Sequence, residues 1–301
     1  MILNVILQGF TYGIAVIGIS IALRVLRYPD LTADGSFLLG AVVFANLLQR
    51  GYSWELGMLA AIVVGGLAGV VTALLHLWFG VGRLLSGILT TMACYSIGFR
   101  VVRGQATMDV DPKRTMFAGL NLFSEASAQV VVAIITVMVI SASVLWLLRS
   151  ELGLVLRATG DNRPMVRDQG HHPARYEVAG LFIANSLVAV SGVLLSAEQH
   201  FVEIGMGVGI IVPLIAALIL GEQVVRLRAL WAQQCGAPVI GASLYFLLYI
   251  SILRAAVRGW LPVQVQSTDL KMIAAATVAL AILVRRLRNK SDRSYGDVLP
   301  L

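Results

Sequence analysis

The sequence predicts an all-α polytopic membrane protein, with about nine transmembrane helices in a single domain over residues 1–301. Three observations carry that expectation. Hydrophobic residues make up 58% of the chain and charged residues 13%, about half the charge of an ordinary soluble domain, and the mean hydropathy is +0.85. Apolar stretches approaching the ~20 residues that a bilayer core demands occur at 2–23, 37–48, 57–79, 84–102, 128–148, 176–196, 206–220, 237–253 and 272–284. The longest polar stretches run to about 25 residues, below the size of an independent domain.

The first stretch opens MILNVILQGF without a charge, so it lacks the basic start of a secretory signal and is expected to stay attached. The second, seventh and ninth stretches are short. They either extend into their flanks or are broken segments lining a cavity, where irregular backbone is tolerated at membrane depth. Small residues spaced by four, at Gly9/Gly13, Gly65/Gly69 and Gly205/Gly209, suit close helix packing, and Pro213 is expected to kink the seventh stretch. Cys94 and Cys235 lie in or beside apolar runs and read as small buried hydrophobes. His76 reads as an interfacial or hydrogen-bonded histidine. Arg100 and Arg103 read as cations snorkelling to the surface, and Glu198, His200 and Glu203 as a water-facing acidic loop.

The net charge of +7 invites comparison with nucleic-acid binders, yet its distribution fits a bilayer. With nine spans, one side collects Arg24, Arg27, Arg83, the arginines of 149–175, Arg226, Arg228 and the cations of 285–293; the other holds Arg50, Arg100, Arg103, Lys113, Arg114, Arg254, Arg258 and Lys271. The excess places the 149–175 loop and the C-terminus in the cytoplasm and the N-terminus outside.

Two polar segments interrupt the apolar pattern. Residues 27–41, RYPDLTADGSFLLGA, place Asp30, Thr32, Asp34 and Ser36 around Pro29 and Gly35. Proline lacks an amide hydrogen and glycine permits positive φ, so a helix break with free backbone groups is one reading. Composition favours the other, a cytoplasmic loop whose aspartates offset Arg24 and Arg27. Within the membrane such carboxylates would carry function by default. Residues 149–175, RSELGLVLRATGDNRPMVRDQGHHPAR, hold a short capped helix of roughly two turns: Asp161 and Asn162 are start residues, Pro164 suits a first turn, and Gly170 with Pro173 is a stop. Catalysis by this chain is not expected. It has no Walker-type phosphate loop, no metal-ligand spacing and no nucleophile beside a base. The residues leave a standalone transporter or channel, coupled to ions through Asp30 and Asp34, open as a reading.

The run LRATGDNRPMVRDQG at 156–170, followed by an apolar span and MGVGIIVPLIAALILGE at 206–222, resembles the membrane permease subunits of bacterial ABC importers that handle sugars and branched-chain amino acids. GSFLLGA at 35–41 resembles their broken second helix. PDLTADGSF is most similar to a less characterised branch whose binding proteins are thought to take up amino acids, including aromatic ones. The resemblance covers roughly residues 11–287. Two departures point away from a sugar: Gly221-Glu222 stands where sugar permeases carry paired glycines, and the run from Asp30 to Gly35 is one residue longer than theirs. The added carboxylate suits a substrate bearing an amine, and would equally suit backbone donors.

The resemblance implies a homodimer around a central path in the bacterial inner membrane, with an ABC ATPase below and a periplasmic or lipid-anchored substrate-binding protein above. ATP and Mg would bind in the ATPase and no cofactor in this chain. Residues Asp30, Leu31, Thr32, Asp34, Gly35 and Ser36 would line the substrate pathway. Arg157, Gly160, Asp161, Asn162, Arg163, Pro164, Met165, Val166, Arg167 and Gly170 would couple to the ATPase, with Met165 and Val166 as apolar contacts and Arg163 and Arg167 as rim charges.

Overall fold

The computed structural model describes residues 2–117, 125–225, 229 and 232–257. The expected ninth span at 272–284, and with it Arg226, Arg228 and the cations from Arg258 onward, lie outside the described residues. The helices are α1 (Ile2–Ser20), α2 (Ala33–Gln49), α3 (Trp54–Leu77), α4 (Arg83–Val101), α5 (Glu125–Arg149), α6 (Glu151–Asp161), α7 (Arg163–Asp168), α8 (Pro173–Gln199), α9 (Ile211–Val224) and α10 (Ala237–Val257). A π-helical turn, Ile21–Val25, extends α1, and another, Ala232–Gly236, precedes α10. Strands β1 (Thr107–Asp109) and β2 (Phe201–Glu203) pair antiparallel.

The other eight apolar stretches all fall on helices. Among the described residues six helices are long and apolar enough to cross a membrane, while Ala33–Gln49 and Ile211–Val224 are shorter. These are the second and seventh stretches, whose shortness was already visible in the sequence.

The centre of the bundle is α8. Its apolar stretch is 72% buried, as is that of α1, against 17% for α5, which keeps Met138 and Trp146 exposed on an apolar outer face suited to lipid. Helix α8 packs on α1, α2 and α3, and small residues set the distance. A methyl on Gly69 of α3 would fall 2.3 Å from Leu181 O, and one on Gly40 of α2 would fall 2.5 Å from Ala189 O. Backbones this close gain dispersion contacts and oriented dipoles, the forces left for helix association where lipid removes the hydrophobic drive.

At the other end of the bundle β1 and β2 join the tips of α4 and α8. Glu198 is the correction here: it belongs to the last turn of α8 and one of its carboxylate oxygens is buried, so it is not part of a water-facing loop. A helix reaching Gln199 carries it inward. Cys94 and Cys235 are buried free thiols, and His76 Nδ1 bonds Val81 O at 2.8 Å, both as expected.

Candidate functional site

The chain leaves helical geometry after Val25 and resumes it at Ala33. This stretch is folded inward: Tyr28 is 0% exposed, Asp30 5% and Thr32 0%. The expected offset of Arg24 and Arg27 by the aspartates does not occur. Arg24 instead makes a two-pronged pair with Glu222 at 2.6 Å, and Arg27 pairs with Asp161 at 2.5 Å.

Asp30 is held by protein groups. Its Oδ1 accepts the Thr32 amide at 2.8 Å and its Oδ2 accepts Asn185 Nδ2 at 2.6 Å. The same amide accepts the Ser36 hydroxyl at 2.7 Å and donates to Leu181 O at 3.0 Å. One side chain of α8 therefore clamps both sides of the α2 start. Thr32 and Thr72 of α3 share a hydroxyl bond at 2.6 Å, and Thr91 of α4 donates to Leu31 O at 2.8 Å. A methyl on Gly35 would fall 2.7 Å from Cys94 Cβ, so the α2 start also packs tightly on α4. A buried carboxylate persists only with such partners.

Asp34 points to another element. Its Oδ2 accepts the Gly209 amide at 2.8 Å and its Oδ1 the Ile211 amide at 2.9 Å. A carboxylate of α2 thereby caps the start of α9, where unpaired N–H groups and the helix dipole both favour negative charge.

The second polar segment is organised by local signals. Ser150 caps α6, accepting from the Gly153 amide. Asn162 caps α7 through the Met165 amide at 3.2 Å, with Pro164 in the first turn. Gly170 takes φ +82° and Pro173 opens α8. Asp161 ends α6 and does not cap α7. Asp161, Asn162, Pro164, Met165, Arg167 and Gly170 are exposed, Arg157, Gly160 and Arg163 are half-buried, and Val166 is buried. Two expectations are corrected. Val166 is 1% exposed against 49% for Met165, because neighbours on a helix point about 100° apart and only one can face outward here. Arg163 is no free rim charge, since it pairs with Glu177 of α8, whose side chain is 2% exposed.

From Glu177 a line of contacts runs to the first segment. Its Oε1 lies 4.0 Å from His76 Nε2, Arg83 Nε lies 3.4 Å from the same nitrogen, and the Arg83 guanidinium sits 5.5 Å from the centre of the Tyr28 ring. Tyr28 in turn shares a hydroxyl bond with Ser86 at 3.0 Å. The two segments also touch directly, because a methyl on Gly160 would fall 2.0 Å from Val25 O. Asn185, Glu177, Thr72 and Thr91 were missed in the sequence. The signal available was a polar residue inside or at the mouth of an apolar run, shared by many that do nothing of the kind.

The chain matches, over residues 1–284, the family described as "Branched-chain amino acid transport system / permease component". It is 29% identical to the tyrosine transport system permease protein of Clostridioides difficile (strain R20291), covering 99% of this chain and 96% of that one. It is 30% identical to uncharacterized protein RP368 of Rickettsia prowazekii (strain Madrid E), over 79% and 85% of the two chains. It is 24% identical to the autoinducer 2 import system permease protein LsrC of Salmonella paratyphi B (strain ATCC BAA-1250 / SPB7), over 65% and 55%. No solved structure matches. A family match reaching from the first residue to beyond the last described helix settles the assignment: the chain belongs to the permease component family of branched-chain amino acid transport systems.

Proposed function

We propose that this chain is the permease subunit of an ATP-driven ABC importer that moves a small polar solute, an amino acid or a related compound, across the bacterial inner membrane. It works as a homodimer of about nine-span subunits, with the N-terminus outside and the C-terminus in the cytoplasm. An ABC ATPase, which holds ATP and Mg, docks on the exposed residues of 157–170, and a substrate-binding protein delivers the solute from the other side. In this reading the 30–36 segment lies along the pathway: Asp30, Leu31, Thr32, Gly35 and Ser36 set the pathway wall by fixing the α2 start, and Asp34 joins that wall to α9.

The observation that carries this reading is a pair of contacts, α6 with the segment before α2 through Gly160 against Val25, and α7 with α8 through Arg163 against Glu177, from which His76 and Arg83 lead on to Tyr28. A push on α7 has a packed route to the pathway, and packed side chains with ion pairs between rigid helices are a physical means of carrying coupling. The amino acid reading draws on the tyrosine transport relative. The test is uptake into proteoliposomes. The chain with its ATPase and binding protein should accumulate solute only with ATP, and the chain alone should accumulate none from a proton or sodium gradient. Gradient-driven uptake by the chain alone would replace this reading with an ion-coupled transporter.

A further inference from the structure

A cavity of about 280 Å³ lies between α1, α9 and α10, in the half of the bundle away from α7. It is separate from the Asp30 network. Its walls include Tyr12, Tyr245, Phe246 and Tyr249, with Gln8 and Gln199 supplying amides. We infer that it is a solute-holding site for an aromatic amino acid, with the solute ring among these aromatic side chains and its polar atoms toward Tyr245, Gln8 and Gln199. This rests on the permease reading and adds a place in this chain where the solute is held.

Three features point to such an occupant. The walls already adopt ring-on-ring geometry: Tyr12 stacks on Phe246 at 4.4 Å between centres and 21° between planes, and Tyr245 meets Phe246 edge-on at 5.4 Å and 88°. An entering ring extends that array with the offset and edge contacts that aromatic pairs prefer. The volume falls just under the ~300 Å³ at which pockets for drug-sized ligands begin, which fits one ring with a short polar chain and excludes a disaccharide or a peptide. The polar features of the site also need a guest. The Tyr245 hydroxyl is buried, in a residue 1% exposed, without a hydrogen-bond partner, and a buried polar group left unpaired is costly. Gly209 and Ile210 form part of the wall, and the Asp34 carboxylate holds Gly209 and Ile211 on either side of it. Occupancy of the cavity is thereby felt at the α2 start.

The test uses the purified full chain in nanodiscs and radiolabelled L-tyrosine, measured at equilibrium into the millimolar range, with unlabelled L-leucine as competitor. The expected result is saturable tyrosine binding that leucine displaces poorly. Tyr245→Phe, which deletes only the hydroxyl, should weaken it about fivefold, the scale of one hydrogen bond. Tyr12→Leu should weaken it about tenfold and erase the preference over leucine. Absence of saturable binding by folded chain, or binding indifferent to both substitutions, overturns the inference. ATP-driven uptake is scored separately with the ATPase and binding protein present. Tyrosine binding that responds to both substitutions, beside uptake that ignores ATP, would retain the cavity and remove the permease reading. ATP-driven uptake without tyrosine binding would do the reverse.

Discussion

Arg163 of α7 and Glu177 of α8 form an ion pair in which the arginine side chain is 35% exposed and the glutamate 2%. The asymmetry decides what each substitution does. Arg163→Ala leaves a buried carboxylate without its cation, whereas Glu177→Gln leaves a guanidinium that can turn to water. The first should destabilise the chain by about 3 kcal/mol and the second by about 1 kcal/mol. Thermal unfolding of the purified protein measures both, and equal shifts or a reversed order would show that the pair is solvated in solution. Both substitutions should also lower solute moved per ATP hydrolysed, since they cut the same contact between α7 and the bundle.

Met165 and Val166 are neighbours with opposite surroundings, 49% and 1% exposed. Met165→Glu should abolish co-purification with the ATPase while leaving the melting curve of the isolated chain unchanged. Val166→Ala should leave docking chemistry intact and cost about 2 kcal/mol of stability. Retained co-purification and transport in Met165→Glu would remove α7 as the docking element.

The pattern of what could be read in the sequence follows the range of the interactions. Helix α7 was legible because its signals are local: Asn162 caps it through the Met165 amide, and Gly170 and Pro173 follow closely after its end at Asp168. The apolar stretches were legible because a bilayer imposes a length. The burial of Tyr28, Asp30, Thr32 and Ser36 and the anchoring of Asp34 were not, because the partners come from far away: Asn185 reaches Asp30 across 155 positions, and the Gly209 and Ile211 amides reach Asp34 across 175 and 177. Composition saw two aspartates near two arginines and paired them, while the fold gave the arginines to Glu222 and Asp161. Helix α6 was hidden within a polar segment, since ELGLVLRATGD is too short and mixed to declare itself without its packing partners.

Asn185 and Asp30 should behave as a coupled pair. Asn185→Ala removes the donor to Asp30 Oδ2 and the acceptor for Ser36, leaving buried polar atoms unpaired at a cost of about 1–3 kcal/mol. Asp30→Asn removes the charge that most needs the amide. In a double-mutant cycle on thermal stability the pair should therefore lose less than the sum of its singles, by about 1 kcal/mol. Simple additivity would mean that water replaces Asn185 without penalty.

Asp34 makes two bonds to the start of α9, and an amide side chain can accept with only one of its two terminal atoms. Asp34→Asn should keep one bond and lose the charge at the helix N-terminus, costing about 1 kcal/mol; Asp34→Ala loses both bonds, for about 2 kcal/mol. Uptake should fall in the same order, because the backbone so loosened, at Gly209 and Ile210, is also cavity wall. Wild-type uptake in Asp34→Ala at wild-type expression would confine the residue to the α9 cap and take it out of the pathway.

Gly160 carries the contact between α6 and the chain before α2, and it tests whether that contact transmits force. A methyl there would fall 2.0 Å from Val25 O and 3.0 Å from Leu26 C. Both are backbone atoms, so the clash cannot be relieved by rotating a side chain, and α6 must move away from the 25–26 segment. Alanine is also the better helix former by about 1 kcal/mol, so intrinsic propensity alone would make Gly160→Ala stabilising. The clash should win, with a lower melting temperature and ATP hydrolysis that persists in the assembled complex while solute uptake drops at least tenfold. A variant that melts higher and transports normally would show that α6 does not press on this segment, and the packed route from α7 to the α2 start would then rest on Arg163 and Glu177 alone.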